Sequence, residues 1–255
     1  MGDIDLMQTD YLASKKQHAP LAHYLKSKNI KVTFDYQAVN TNGYYDEAAG
    51  MIGDNYPLLE RLLRQIAFAY QKNHTGTNLD LSKYNQNQTA VINKICRDFY
   101  NHTLFAKYSY NKQSQKMSIA LQHATPIRQF FMGGWLEWCV LSAILTQINS
   151  LDIKPKFSCA KGVKIQLANG DKHELDIVFL NHKNELFVIE CKTGEYRADL
   201  NKYLDLCKKM GISPNQFNLL VTDLNKEQAL AMSAMYGMNF ISLSGLKGFV
   251  KYMLN

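Results

Sequence analysis

Two acidic residues and a lysine lie in neighbouring apolar segments of the C-terminal half. Asp176 belongs to the run HELDIVFL, and Glu190 and Lys192 belong to the run ELFVIECK. Residues two apart on a β-strand share a face, so Glu190 and Lys192 point to the same side. If Leu180 faces Leu186 across the turn, Asp176 lies directly opposite Glu190, with their Cβ atoms about 5 Å apart.

Two carboxylates at that separation repel each other unless a positive charge lies between them. A hard divalent cation removes the repulsion, because such ions bind carboxylate, carbonyl and water oxygens. We expect Asp176, Glu190 and the backbone carbonyl of Cys191 to bind Mg²⁺ or Mn²⁺. Lys192 would orient a water molecule or offset charge on a phosphate. Since a bound metal also stabilises phosphoryl oxygens, these residue types favour phosphodiester hydrolysis.

The spacing of apolar residues predicts the elements that carry these side chains. Strands are predicted over residues 156–167, 173–180, 185–192, 217–222 and 239–243, and helices over residues 126–148, 199–210, 226–236 and 246–254. This order predicts an α/β fold with a mixed sheet flanked by helices. Gly133 and Gly134 are unfavourable inside a helix and predict a boundary or a close backbone approach. Glu174 shares the predicted face of Asp176, where it either contacts a second metal or is a solvated strand end.

The residues from Asp176 to Glu190-Cys191-Lys192 resemble the D…ExK motif of PD-(D/E)xK restriction-endonuclease-like enzymes. The segments GGWLEWCV, ELDIVFL and VIECKTG are similar to the nuclease domain of CRISPR ancillary nucleases, which join a CARF sensor domain to this fold. The resemblance covers about residues 130–255 and implies a metal-dependent endonuclease. It adds Glu137 as a catalytic and metal-binding residue, because many of these enzymes use a glutamate on the preceding helix. The alternative for Glu137 is a helix acid capped by local donors.

Three regions are predicted along the chain: residues 1–56 of unclear role, a mainly helical, winged-helix-like region over 57–124, and the nuclease domain over 125–255. In the second region, helices begin near Leu58 and Thr89, a polar connection covers 78–87, and LFAKYSY and KMSIAL form a hairpin. Residues 1–56, with a helix over 15–28, a strand over 30–34 and a turn over 40–45, are too short for a CARF domain. We therefore expect a stand-alone relative or a fragment. Three alternatives are open for its control: a separate regulatory partner, formation of a homodimer, or no regulation.

Candidate nucleic-acid contacts lie on the hairpin and on the helix after the acidic strand. The hairpin lysines either contact nucleic acid or belong to a solvated hairpin that packs against its neighbour. The lysine on the helix, Lys202, either contacts phosphate or forms an ion pair with Asp199 or Asp205. The four candidates are Lys107, Lys112, Lys116 and Lys202.

The bulk properties of the chain exclude several classes of protein. The 255 residues, 46% hydrophobic and 20% charged, are typical of a globular protein, and the net charge of +7 favours a polyanionic partner. Five scattered cysteines without a CxxC pair argue against a zinc site or a disulfide framework. No signal peptide or long uninterrupted apolar run is visible, so we expect a cytoplasmic protein without a membrane partner. The acidic pair predicts a metal-dependent endonuclease acting on DNA or RNA, and the resemblance to CRISPR ancillary nucleases implies a role in prokaryotic defence. The alternatives are a non-catalytic nucleic-acid-binding protein and a transposase- or resolvase-like nuclease subunit.

Overall fold

The computed structural model describes residues 15–33, 44–150 and 157–254. The chain divides into two compact units, one of residues 1–43 and 140–255 and the other of residues 44–139. The limits of these units differ from the predicted domain boundaries after residues 56 and 124. The domain boundaries stay a prediction.

The strands and helices are numbered in chain order. The strands are β1 (Lys31–Thr33), β2 (Gly76–Asp80), β3 (Phe105–Asn111), β4 (Lys116–Leu121), β5 (Ser158–Gln166), β6 (Lys172–Leu180), β7 (Leu186–Lys192), β8 (Phe217–Val221) and β9 (Asn239–Ser242). The helices are α1 (Lys15–Ser27), α2 (Tyr45–Asp54), α3 (Tyr56–Gln71), α4 (Gln86–Asn101), α5 (Thr125–Gln129), α6 (Trp135–Ser150), α7 (Leu200–Met210), α8 (Lys226–Tyr236) and α9 (Leu246–Leu254).

The first unit contains a six-stranded mixed sheet in the order β1-β5-β6-β7-β8-β9. Strands β1, β5, β6 and β7 pair antiparallel, whereas β7, β8 and β9 pair parallel. Apolar side chains of α1, α7 and α8 share one core with the sheet, to which Leu25, Leu206 and Ala229 contribute. On the opposite face Phe187 contacts Tyr252 of α9, with ring centroids 6.4 Å apart. The predicted mixed sheet flanked by helices is confirmed.

Strand β1 comes from the region whose role the sequence left unclear. Its three residues pair with β5 in the register Lys31↔Gln166, Val32↔Ile165 and Thr33↔Lys164. Strand β1 is therefore an edge strand of the six-stranded sheet, and α1 contributes Leu21 and Leu25 to the core of the same unit. The prediction of a helix followed by a short strand is confirmed. Two other predictions lie mostly outside the described residues: the turn over residues 40–45 and the start of the strand predicted from Lys156.

The second unit combines helices α2, α3 and α4 with a three-stranded antiparallel sheet in the order β2-β4-β3. The predicted hairpin of β3 and β4 is confirmed, with Ser109 opposite Ser118. The predicted polar connection over residues 78–87 is wrong at both ends, because residues up to Asp80 form β2 against β4 and residues from Gln86 form α4. Only Leu79 of β2 is buried, so the strand lacks the alternation of apolar residues that predicts strands.

The predicted helix over residues 126–148 is interrupted. Helix α5 passes through a π-helical turn, Phe130–Gly134, into α6, and Gly133 has a φ of 132°, which favours glycine. The predicted boundary at the two glycines is therefore confirmed. The segment Thr125–Ile148 is long and apolar enough to cross a membrane by composition alone. A buried core helix passes the same test, and Phe131, Trp135 and Leu136 are buried.

Candidate active site

The register between β6 and β7 brings the two predicted acids together. Leu180 pairs with Leu186, and the ladder continues to Ile177 opposite Ile189. The predicted register is confirmed, and its next position places Asp176 opposite Glu190. At that point the carboxylates become hydrogen-bond acceptors for the main chain.

Two hydrogen bonds cross between the strands at this position. The backbone N–H of Cys191 donates to Oδ2 of Asp176 over 2.8 Å, and the backbone N–H of Asp176 donates to Oε1 of Glu190 over 3.4 Å. Each acid is therefore held by the strand that carries the other acid. The arrangement fixes two carboxylates at the end of the β6–β7 ladder.

Glu190 lies at the margin of the apolar core, with 5% of its surface exposed. Burial raises the pKa of its carboxyl group, and repulsion from Asp176 raises the pKa further. The hydrogen bond from the Asp176 backbone and the charges of Lys192 and Lys202 oppose the rise without cancelling it. The ionised pair thus creates an unfavourable concentration of negative charge that a cation would relieve.

Lys192 lies two residues after Glu190 on β7, but its direct partner is on the next helical segment. Its Nζ donates to Oδ2 of Asp199 over 2.8 Å and lies 5.6 Å from the ring centroid of Tyr203. Burial lowers the pKa of Lys192, whereas hydrogen bonds to Asp199 and Tyr203 raise it, and the net effect is a rise. The Lys192 ammonium group therefore stays charged at neutral pH.

Asp199 is a neighbour of the site whose contact with Lys192 the sequence does not predict. The sequence predicts Asp199 as a partner for Lys202, yet in the structure Asp199 binds Lys192. Within the part of the chain that the structure describes, Lys202 forms no ion pair; its Nζ lies 5.8 Å from the Tyr203 ring centroid. The i, i+4 spacing of Asp199 and Tyr203, at the start of the helix after β7, is the signal that places both near Lys192.

The backbone of Cys191 supplies a further oxygen on the same side as the acids. In a strand, the N–H and C=O of one residue point to the same neighbour. Because the Cys191 N–H points to Asp176, its carbonyl is also directed to the β6 side. Accordingly, it is the next carbonyl, that of Lys192, that accepts from Thr222 just after β8.

The donor set of the site consists of two carboxylates and this carbonyl. Among residues 15–33, 44–150 and 157–254, no group of three or more His, Cys, Asp or Glu side chains could hold a metal. Hard oxygen donors that leave positions for water nevertheless suit Mg²⁺, which usually keeps several waters and takes only one or two carboxylates. The residues present therefore fit a hard divalent cation.

Two other predicted acids lie outside the pair. Glu174 is exposed and pairs in register with Lys164 on β5. Its Oε1 lies 3.8 Å from the place of a Cβ on Gly162, the β5 residue opposite Asp176. Glu137 is half-buried in the first turn of α6 and belongs to the second unit. Roles for Glu137 and Glu174 stay predictions.

The hairpin lysines of the second unit are all solvent-accessible. Lys107 lies on β3, Lys112 in the turn and Lys116 on β4, and each is exposed. Lys116 faces Asp80 across the β2–β4 ladder. Their exposure is compatible with both alternatives weighed from the sequence, nucleic-acid contact and a solvated hairpin.

Comparison with known proteins supports the nuclease resemblance over the region that carries the acids. Residues 125–222 match the family of the Card1-like endonuclease domain. This range contains Asp176, Glu190 and Lys192, and it confirms the resemblance to nuclease domains of CRISPR ancillary nucleases. No curated protein gives a significant sequence match to the chain.

Two solved structures share the fold over most of the chain. Protein VC1899 from Vibrio cholerae has 18% identity and a TM-score of 0.58. Can2 from Sulfobacillus thermosulfidooxidans, solved in complex with cyclic tetra-adenylate, has 21% identity and a TM-score of 0.59. Each comparison covers 91% of this chain and 60% of the other chain. The chain thus spans less than two thirds of either protein, and at these identities the likeness is one of fold.

Proposed function

We propose that the protein is a metal-dependent endonuclease that hydrolyses phosphodiester bonds in DNA or RNA. The observation that carries the proposal is the pair Asp176 and Glu190, joined by crossed hydrogen bonds beside a charged lysine. The match of residues 125–222 to the Card1-like endonuclease domain supports the same assignment.

Asp176, Glu190 and the Cys191 carbonyl would hold Mg²⁺ or Mn²⁺. The bound ion supplies Lewis-acid stabilisation of phosphoryl oxygens and lowers the pKa of water. Asp176 is oriented by the Cys191 N–H, so its second oxygen has a defined direction. Glu190 is held by the Asp176 N–H in the same way.

Lys192 would act as a fixed positive charge rather than as a base. Its raised pKa keeps the ammonium group protonated through the neutral range. Asp199 and Tyr203 accept two hydrogens of the ammonium group, which leaves the third to donate to a phosphate oxygen or to the attacking water. The charge offsets the negative charge that develops on the phosphate during hydrolysis.

The cellular setting that we propose is prokaryotic antiviral defence, associated with CRISPR systems. The Card1-like match and the fold shared with Can2 support this setting. The Can2 structure holds cyclic tetra-adenylate. For this chain we propose control by a separate regulatory partner or by formation of a homodimer.

The experiment that tests the function is a cleavage assay on four substrates, single- and double-stranded DNA and RNA. We expect cleavage with Mg²⁺ or Mn²⁺, none with EDTA, and loss of cleavage in Glu190→Gln. Glu227→Gln, an exposed acid in the first turn of α8, is the matched control and should retain activity. Binding without cleavage under every metal condition would reject the enzyme in favour of a non-catalytic nucleic-acid-binding protein.

A further inference from the structure

The second unit contains a groove that the proposed chemistry does not use. It has a volume of 650 Å³ and lies beside helix α3 and the start of strand β2, where Gly76 and Thr77 line it. This volume falls within the range of about 300–1,000 Å³ that is usual for ligand pockets. The groove is therefore large enough to enclose part of a nucleotide-sized ligand.

One face of α3 forms a wall of the groove. Residues that point to the core, such as Leu59 and Ile66, are buried, whereas Arg61, Arg64 and Phe68 lie along the outer face at helical spacing. Each of these three side chains is exposed and lines the groove. The helix thus presents two guanidinium groups and an aromatic ring in one row.

The two arginines give the groove its capacity to bind anions. Arg64 donates from Nε to Oε1 of Glu60 over 3.0 Å, an exposed pair that contributes little to stability. Arg61 forms no hydrogen bond or ion pair within the described ranges 15–33, 44–150 and 157–254. A guanidinium group binds phosphate oxygens through two parallel hydrogen bonds, so Arg61 is suited to a phosphate.

Phe68 gives the groove a surface for stacking. Its ring is 53% exposed, and His74 meets it edge-on with ring centroids 6.0 Å apart. Lys72 Nζ lies 5.9 Å from the ring centroid. An exposed ring held between cationic and polar neighbours is the type of platform on which the bases of a single strand stack.

Gln65 adds a hydrogen-bond acceptor on the same wall. Its Oε1 is buried and has no donor among the residues that the structure describes. A buried amide oxygen without a donor is unfavourable. Gln65 as a whole is half-buried and lines the groove, so a rotation of its side chain would bring this oxygen to an amino group of a base placed beside the stacked ring.

We propose that this groove binds a single-stranded segment of nucleic acid. Arg61 contacts a phosphate, Phe68 stacks on a base, and Gln65 accepts a hydrogen bond from a base amino group. The inference rests on the proposed function, since it names the form in which the nuclease holds its substrate. An acidic peptide would use the arginines but would leave the ring and the buried acceptor without partners.

Binding of a fluorescently labelled single strand of about twelve nucleotides to the full chain, in EDTA, tests the proposal. We expect Arg61→Glu and Phe68→Ala to weaken binding about five-fold or more. Two exposed positions of the same unit are controls: Lys83→Glu matches the charge change and Tyr100→Ala the loss of a ring, and both should bind within about two-fold of the unaltered protein.

A second variant keeps the test valid if Phe68→Ala fails to fold. Phe68→Trp retains a stacking surface, and we expect its fluorescence to be quenched when the strand is added. Unchanged affinity in both groove variants, or no quenching in Phe68→Trp, would overturn the proposal. The proposal would also be overturned if the groove variants weakened binding of a duplex of the same length by the same factor. Competition by polyglutamate as strong as that by the unlabelled strand would overturn it as well. Binding is measured without divalent metal, so its result does not depend on whether the protein cleaves nucleic acid. A failure of the proposed cleavage can therefore be distinguished from a failure of the proposed binding.

Discussion

The Lys192 ammonium group donates a hydrogen bond to the Asp199 carboxylate over 2.8 Å. The lysine of the site is therefore held by a residue just before helix α7, although it shares a strand face with Glu190. This contact fixes the side chain and keeps it charged, because Asp199 opposes the effect of burial on the pKa of Lys192. We infer that Asp199 is a positioning residue for Lys192.

Replacing Asp199 by Asn should reduce cleavage about ten-fold, because Lys192 loses both its charged partner and its fixed orientation. The loss should grow as pH rises, since burial then lowers the pKa of Lys192 with less opposition. Stability should change by less than about 1 kcal/mol, because both side chains are partly exposed. Initial rates between about pH 7 and 10 measure the effect.

Asp205→Asn is the matched control, because Asp205 pairs with Lys209 at 2.8 Å. It should leave the pH profile unchanged. An Asp199→Asn variant with the profile of the unaltered protein would show that the contact does not position Lys192.

Glu190→Gln should stabilise the metal-free protein at neutral and alkaline pH. The folded protein raises the pKa of Glu190 from 4.5 to about 8, so between these values it binds a proton that the unfolded chain has released. Its stability therefore falls as pH rises through this window. We expect the variant to be more stable by roughly 1–3 kcal/mol at pH 8 and equal to the unaltered protein below pH 4.5.

Thermal unfolding in EDTA at several pH values measures this difference. Glu227→Gln, at an exposed position, should give no pH-dependent gain. A constant difference across the pH range would argue against a raised pKa and against repulsion within the acidic pair.

Asp176→Asn should abolish cleavage while the protein stays folded. The amide oxygen of Asn can still accept from the Cys191 N–H, but the charge that binds a cation is halved. The unaltered protein should gain about 2.7 kcal/mol of stability at a metal concentration 100 times the dissociation constant. We expect this gain to disappear in Asp176→Asn, as measured by thermal unfolding with Mn²⁺. An equal gain in both proteins would place the metal elsewhere.

Charge reversal of Lys107 and Lys112 together should weaken nucleic-acid binding and flatten its salt dependence, because each lost phosphate contact reduces the counterion release. Both lysines are exposed on the β3–β4 hairpin. Binding titrations at several salt concentrations measure the slope. The control is the double reversal of Lys226 and Lys251, exposed in the first unit. An unchanged slope in the hairpin variant would identify the hairpin as a solvated surface.

The sequence predicted the acidic pair because its signal is local. Continuous apolar runs mark the end of β6 and the start of β7, and the short turn between them sets the Leu180↔Leu186 register from which the facing acids follow. The break at Gly133 was also predictable, since glycine is unfavourable within a helix. Both features depend on residues close together in the chain.

Features that depend on distant pairing were not predictable. The pairing of β1 with β5 joins Val32 to Ile165, and nothing in a three-residue strand indicates its partner. Strand β2 has one buried side chain, so its sequence lacks the apolar pattern of a strand. Its extended conformation depends on its hydrogen bonds to β4. The choice of Asp199 over Glu190 as the partner of Lys192 depends on where helix α7 begins.

The hydrogen bond from the Cys191 amide to the Asp176 carboxylate makes one proton a reporter of the whole site. In an NMR spectrum of ¹⁵N-labelled protein, the Cys191 resonance would shift when Asp176 changes its charge or binds a cation. Occupancy, and any later exchange of one ion for another, could thus be followed at a single peak, without substrate and without waiting for turnover.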